Sequence, residues 1–127
     1  MSFSGKYEVE SRENFEPFMK AIEMSNELIQ RYKDTKGITE IVQNGNDFDV
    51  TITTGDNVIH NKFTIGQEAE FGTLAGTKIK SVANLDGANK VVIKLNSVTA
   101  VTELNEDKLI DVLTFGDITY KRISKRM

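Results

Sequence analysis

From Asn44 to Asp117 the chain is punctuated by turn-forming clusters: Asn44-Gly45-Asn46, Gly55-Asp56-Asn57, Gly66, Gly76, Asp86-Gly87, Asn105-Glu106-Asp107 and Gly116-Asp117. They recur about every 8–12 residues, the spacing of antiparallel strands joined by short turns. The runs between them alternate, with Phe48, Val50 and Ile52 set against Asp47, Asp49, Thr51 and Thr53. Strand side chains point to opposite faces in turn, so each such run has one buried side. With Lys6 to Val9 added, roughly ten strands are predicted. So many strands expose sheet edges unless the sheet closes, and the expected fold is all-β, an antiparallel barrel or clam.

One stretch breaks the pattern. Between Asn14 and Tyr32 the apolar residues Phe15, Phe18, Met19, Ile22, Leu28, Ile29 and Tyr32 fall at helical spacing, with a break predicted at Ser25-Asn26. This is a helix-turn-helix that can serve as a lid. Asn14 is the expected cap, and Pro17 then sits in the first turn, where a missing N–H does no harm. Gly37 is expected to end the hairpin in the left-handed conformation. The aromatic and methionine positions read as core packing.

A chain of 127 residues suits one domain, 1–127, able to bury its own core. Its 16 Lys+Arg against 19 Asp+Glu give a net charge of -3, which provides no global basic surface for nucleic acid. No cysteine is present, which fits a reducing compartment. Neither a signal-like apolar segment nor a run long enough to span a membrane occurs, so a soluble cytoplasmic protein is expected.

The inward faces carry the functional information. Ile79, Ser81, Ala83 and Leu85 share one face, as do Val91, Ile93 and Leu95, then Val98, Ala100, Thr102 and Leu104, and then Leu109, Asp111, Leu113 and Phe115. In the last run, Ile118, Tyr120, Arg122 and Ser124 share a face, which makes Arg122 an inward cation. A guanidinium among apolar neighbours calls for a carboxylate, a phosphate or water, or else it snorkels to solvent. Small and polar inward residues favour a cavity over a filled barrel.

Several segments resemble the intracellular lipid-binding proteins. Gly5-Lys6-Tyr7-Glu8-Val9 followed by Asn14-Phe15-Glu16-Pro17-Phe18-Met19-Lys20-Ala21-Ile22 is similar to the opening of that family. Glu40-Ile41-Val42-Gln43-Asn44-Gly45, Asn61-Lys62-Phe63-Thr64-Ile65-Gly66 and Gly116-Asp117-Ile118-Thr119-Tyr120-Lys121-Arg122-Ile123-Ser124 resemble its liver-type fatty-acid-binding branch. The resemblance implies a roughly ten-stranded clam with two capping helices. It implies that Arg122 engages a ligand carboxylate, with Ser124 and Thr39 nearby. Ile41, Val50, Ile52, Phe63, Leu74, Leu113 and Tyr120 would line the acyl chain, and Thr102 would widen the interior. Phe18, Leu28 and Arg31 would form the portal. The implied ligands are fatty acids, with bile salts and lysolipids as bulky alternatives, carried by a monomer that touches membranes transiently.

Asp111 departs from the pattern, standing where the resemblance leads one to expect an uncharged amide. An inward carboxylate near Arg122 can occupy the guanidinium and compete with an incoming anion. Val50 is smaller than a common aromatic, and Gly72 removes a side chain from the wall. Other constellations are weak. His60 is the sole histidine, so no multi-histidine metal site can form. No phosphate loop or activated nucleophile is readable, and no cofactor is expected. Three readings remain beside the fatty-acid carrier: a bile-acid carrier, an enzyme using Asp111 with Arg122, and an interaction module on the helical face.

Overall fold

The alternating runs form ten antiparallel strands, and the helically spaced stretch forms two helices, in a computed structural model that describes residues 3–73 and 77–127. In chain order they are β1 (Gly5–Glu13), α1 (Phe15–Ala21), α2 (Asn26–Tyr32), β2 (Gly37–Asn44), β3 (Asp47–Thr54), β4 (Asn57–Thr64), β5 (Glu68–Gly72), β6 (Lys78–Leu85), β7 (Lys90–Leu95), β8 (Val98–Asn105), β9 (Lys108–Phe115) and β10 (Ile118–Arg126). The strand order is β4-β3-β2-β1-β10-β9-β8-β7-β6-β5, a meander whose two ends meet across the first and last strands of the chain. Among the described residues no backbone ladder joins β4 to β5. The Asn61 carboxamide spans that gap instead, accepting from the Gly72 N–H at 2.8 Å and donating to the Gly72 carbonyl at 3.5 Å.

Two apolar clusters bracket the interior. One gathers Phe3, Phe48, Phe63 and Phe71 with Tyr7, Ile41 and Leu109. Its rings stack in sequence, with Phe48 and Phe63 nearly parallel at 5.2 Å and Phe63 and Phe71 tilted at 5.2 Å. The other lies beneath the helices, where Phe15 and Phe18 meet Tyr120 of β10 at 5.6 and 5.7 Å. As the periodicity predicts, the buried face of the hairpin is Phe15, Phe18, Met19, Ile29 and Tyr32.

Several local expectations are corrected. Asn14 adopts a left-handed conformation with φ 63° and makes no side-chain cap. Its carboxamide donates instead to the Thr119 carbonyl at 3.0 Å, tying the start of α1 to β10. The helical break falls earlier than expected, for α1 ends at Ala21 and Ser25 caps α2 by accepting the Leu28 N–H at 3.3 Å. Gly37 is not left-handed. It is a buried residue opening β2, and a Cβ there would lie 3.4 Å from the Thr53 carbonyl, Thr54 Oγ1 and Val9 Cγ2. Those are ordinary contact distances and the backbone is not left-handed, so nothing in the structure requires glycine there. An unanticipated turn forms at Asn96, with φ 57°. The turn expected at Gly76 lies outside the described residues.

Two inward assignments on β6 also change. Leu85, at the strand end, is 40% exposed. The β6–β7 ladder pairs only Ala83, Asn84 and Leu85 with Ile93, Val92 and Val91. Where that ladder stops, the Ser81 hydroxyl donates to the Lys94 carbonyl, so Ser81 serves the strand seam and does not line the cavity.

The chain ends are held by a clasp around Tyr7, which is fully buried. Its hydroxyl donates to the Phe3 carbonyl at 2.7 Å and accepts from Arg126 Nη2 at 2.9 Å. Burial pushes the phenol above its ordinary value of 10.0, partly opposed by the Arg126 charge and hydrogen bond. The folded state therefore holds this proton more tightly than the unfolded chain. That stabilisation is complete below the ordinary value and is lost as pH rises through the folded one. Tyr7→Phe is expected to lower unfolding stability by about 1–3 kcal/mol at neutral pH, with the deficit shrinking at alkaline pH. Urea denaturation of both proteins across that range checks it, and equal stability at neutral pH would contradict the clasp.

Candidate functional site

Between the two clusters lies a cavity of about 350 Å³, within the range of small-molecule sites, about 300–1,000 Å³. Of the expected lining residues, Thr39, Ile41, Val50, Ile52 and Phe63 contribute the wall from β2 to β4. Thr102, Asp111, Leu113, Tyr120 and Arg122 contribute the wall from β8 to β10. Leu74 lies outside the described residues. Gly72 lines the cavity, as expected for a wall position without a side chain.

Strand register assembles the polar cluster. Asp111 pairs with Thr102 across β8–β9 and with Arg122 across β9–β10, so three inward side chains meet on adjacent strands. Asp111 Oδ2 accepts from Arg122 Nη2 at 2.7 Å and Nε at 3.2 Å, and Oδ1 accepts from Thr102 Oγ1 at 2.7 Å. The two charged side chains are only 14% and 9% exposed. Burial alone would push the Arg122 guanidinium down. The Asp111 charge, with smaller contributions from Tyr120 and the hydrogen bond to Asp111, more than offsets it and leaves Arg122 above the ordinary arginine value. Of the alternatives open for an inward arginine, the structural ion pair is the one realised.

Two hydroxyls remain unanswered. Thr39 Oγ1 and Ser124 Oγ are buried and make no hydrogen bond to any described atom. Thr39 lines the cavity, whereas Ser124, opposite Val9 and Leu109, does not. Ser124 is fully buried in the sheet between those two partners, so the structure does not bring it to the cavity wall beside Thr39.

The portal residues separate into different roles. Phe18 lines the cavity from α1. Leu28 is half-buried and packs against the cluster beneath the helices, without reaching the cavity. Arg31 points away and bonds Asp56 in the β3–β4 turn at 2.9 Å, with the Tyr32 hydroxyl also on Asp56 at 3.3 Å. This pair fastens α2 to the rim.

One lining residue escapes the alternation rule. Arg12 shares parity with the outward Lys6, Glu8 and Glu10, yet it lines the cavity. Between Val9 and Ser11 the β1–β10 register shifts, and Glu10 is the extra residue. A bulge of this kind re-aims every side chain beyond it, and it brings Arg12 inward opposite Arg122. No residue type at Glu10 announces a bulge, so only the paired strand reveals it.

The family model of the lipocalin / cytosolic fatty-acid binding protein family matches residues 1–127. The chain is 57% identical over 126 residues to fatty acid-binding protein 1, liver, of Ambystoma mexicanum, covering 99% of this chain and 100% of that protein. It is 55% identical over 127 residues to the liver fatty acid-binding protein of Sus scrofa, covering all of both. A solved zebrafish ileal bile acid-binding protein with cholic acid superposes with a TM-score of 0.85 at 36% identity, covering 98% of each chain. The REP1-NXSQ fatty acid transporter superposes with a TM-score of 0.92 at 28% identity, covering 98% of this chain and 95% of that one. With its whole length matched and its ten-stranded meander shared, the chain belongs to the lipocalin / cytosolic fatty-acid binding protein family.

Proposed function

We propose that the protein is a non-catalytic, monomeric, single-domain cytoplasmic carrier of long-chain fatty acids. The observation that carries this reading is the lidded cavity, walled by apolar strand faces and holding its ion pair already neutralised. Burying a methylene is worth about 0.8 kcal/mol, so about ten of them give roughly the free energy of micromolar binding before ordering costs. Affinity then comes from the chain and does not require Arg122. An enzymatic role is disfavoured because Asp111 and Arg122, the candidate acid–base pair, are committed to each other. The bile acid-binding neighbour supports a second reading, carriage of bile salts in the same cavity.

Delipidated protein is expected to bind oleate and a conjugated bile salt saturably, at micromolar concentrations or below for oleate. Calorimetric titration checks this. A folded protein that takes up neither ligand would end the carrier reading, and tighter binding of the bile salt would favour the second one.

The hairpin is proposed as the lid through which ligand enters and leaves, with brief contact to membrane surfaces. The Arg31–Asp56 pair is exposed, with side chains 57% and 65% accessible, so its loss is expected to change stability by less than about 1 kcal/mol. Asp56→Ala should nevertheless speed ligand transfer to anionic vesicles several-fold, and Leu28→Glu should alter it through the packing beneath the lid. Stopped-flow transfer measures both. Unchanged rates in both variants would show that exchange does not use this hairpin.

A further inference from the structure

Two cations line the cavity among the described residues, Arg12 and Arg122. Their circumstances differ. Arg122 is held by two hydrogen bonds to one carboxylate oxygen, so the pair adds no net charge to the interior. A fatty carboxylate brought there would meet Asp111 as well as Arg122 and would leave the buried site with an unbalanced negative charge. Arg12 has no carboxylate within 4.0 Å among the described residues. Its guanidinium sits 5.6 Å over the Phe15 ring and donates from Nη1 to the Lys33 carbonyl at 3.4 Å. Of the five N–H donors of a guanidinium, the Lys33 carbonyl takes one and the Tyr120 phenol also interacts with this side chain, which leaves donors for an anion.

We propose that Arg12 is the head-group site: it receives the carboxylate of a long-chain monocarboxylic amphiphile whose tail lies in the cavity. The inference rests on the carrier reading above and assigns the polar end of that same ligand. Arg12 is half-buried at the mouth, beside Phe15, Phe18 and Met19 of α1. A carboxylate there keeps part of its hydration and meets a cation that no described carboxylate neutralises, while its chain runs toward Phe63 and Phe71. The bulge at Glu10 makes this possible, since without it Arg12 would face solvent. The Tyr120 phenol, which lines the same region, is pushed up by burial and, more weakly, by the Asp111 charge, an effect that the Arg122 and Arg12 charges and a side-chain hydrogen bond with Arg12 partly oppose. Arg12 thus lies close enough to influence a polar group at this end of the cavity.

The test separates head group from tail. Full-length delipidated protein, with Arg12→Gln and Arg12→Lys variants, is titrated calorimetrically with oleate and with oleyl alcohol, which has the same chain and no charge. Arg12→Gln is expected to weaken oleate about tenfold and leave oleyl alcohol unchanged, while Arg12→Lys retains most of the oleate affinity. Carboxyl-labelled oleate should show a change in its carbonyl resonance in Arg12→Gln. If oleate binds the wild type and Arg12→Gln equally, the assignment is overturned while the carrier reading stands. Equal weakening of both ligands also overturns it, because Arg12 would then be shaping the mouth. If the folded wild type binds neither ligand, the carrier reading itself fails and the assignment falls with it.

Discussion

A carboxylate and a guanidinium share the inside of this barrel, and burying either one without the other would be costly. Removing one member of a buried pair typically costs about 3–5 kcal/mol, because the other is left uncompensated. Thr102 completes the arrangement by answering the second carboxylate oxygen. Since the three residues stand opposite one another on β8, β9 and β10, the cluster also specifies register. A slip of one residue would turn the charges outward and the apolar face to water. The same contact therefore aligns three strands and sets the electrostatics of the cavity.

The space around that pair persists because the packing is concentrated at its two ends. The stacked Phe48, Phe63 and Phe71 rings fill one end, and Phe15, Phe18 and Tyr120 fill the other beneath the helices. Between them the wall carries Ala100, Thr102 and Gly72, which project little into the interior. The sheet is not laced shut everywhere. At the β4–β5 gap the Asn61 carboxamide does the work of a missing ladder at Gly72, and at the rim an exposed pair holds α2 to Asp56. Such side-chain fastenings open more readily than a backbone ladder, which suits a cavity that must exchange its contents.

Much of this was readable because period-two alternation is a strict geometric rule. It put Thr102, Asp111 and Arg122 on inward faces, and turn chemistry divided the strands in nearly the right places. The misreadings have local causes. Arg12 was hidden by a bulge, which the neighbouring strand creates and no residue at Glu10 signals. Gly37 reads as a helix exit, but it opens β2 as a buried strand residue beside Thr53, Thr54 and Val9. Ser81 looked like a cavity hydroxyl and instead patches the seam where the β6–β7 ladder ends. Asn14 looked like a cap and instead reaches β10. In each case a partner distant in sequence decides what the residue does.

The central claim is that Asp111 neutralises Arg122 and so controls how the cavity receives an anion. A double-mutant cycle tests it most directly, with oleate titrated at fixed salt into the wild type, Asp111→Asn, Arg122→Ala and the double variant. The account predicts tighter oleate binding in Asp111→Asn, which frees a second cation, and weaker binding in Arg122→Ala, which leaves a buried negative charge. The double variant should lie nearer the wild type than the weaker single variant does, with a coupling of about 1–3 kcal/mol. Additive free energies, or weaker oleate binding in Asp111→Asn, would contradict the claim.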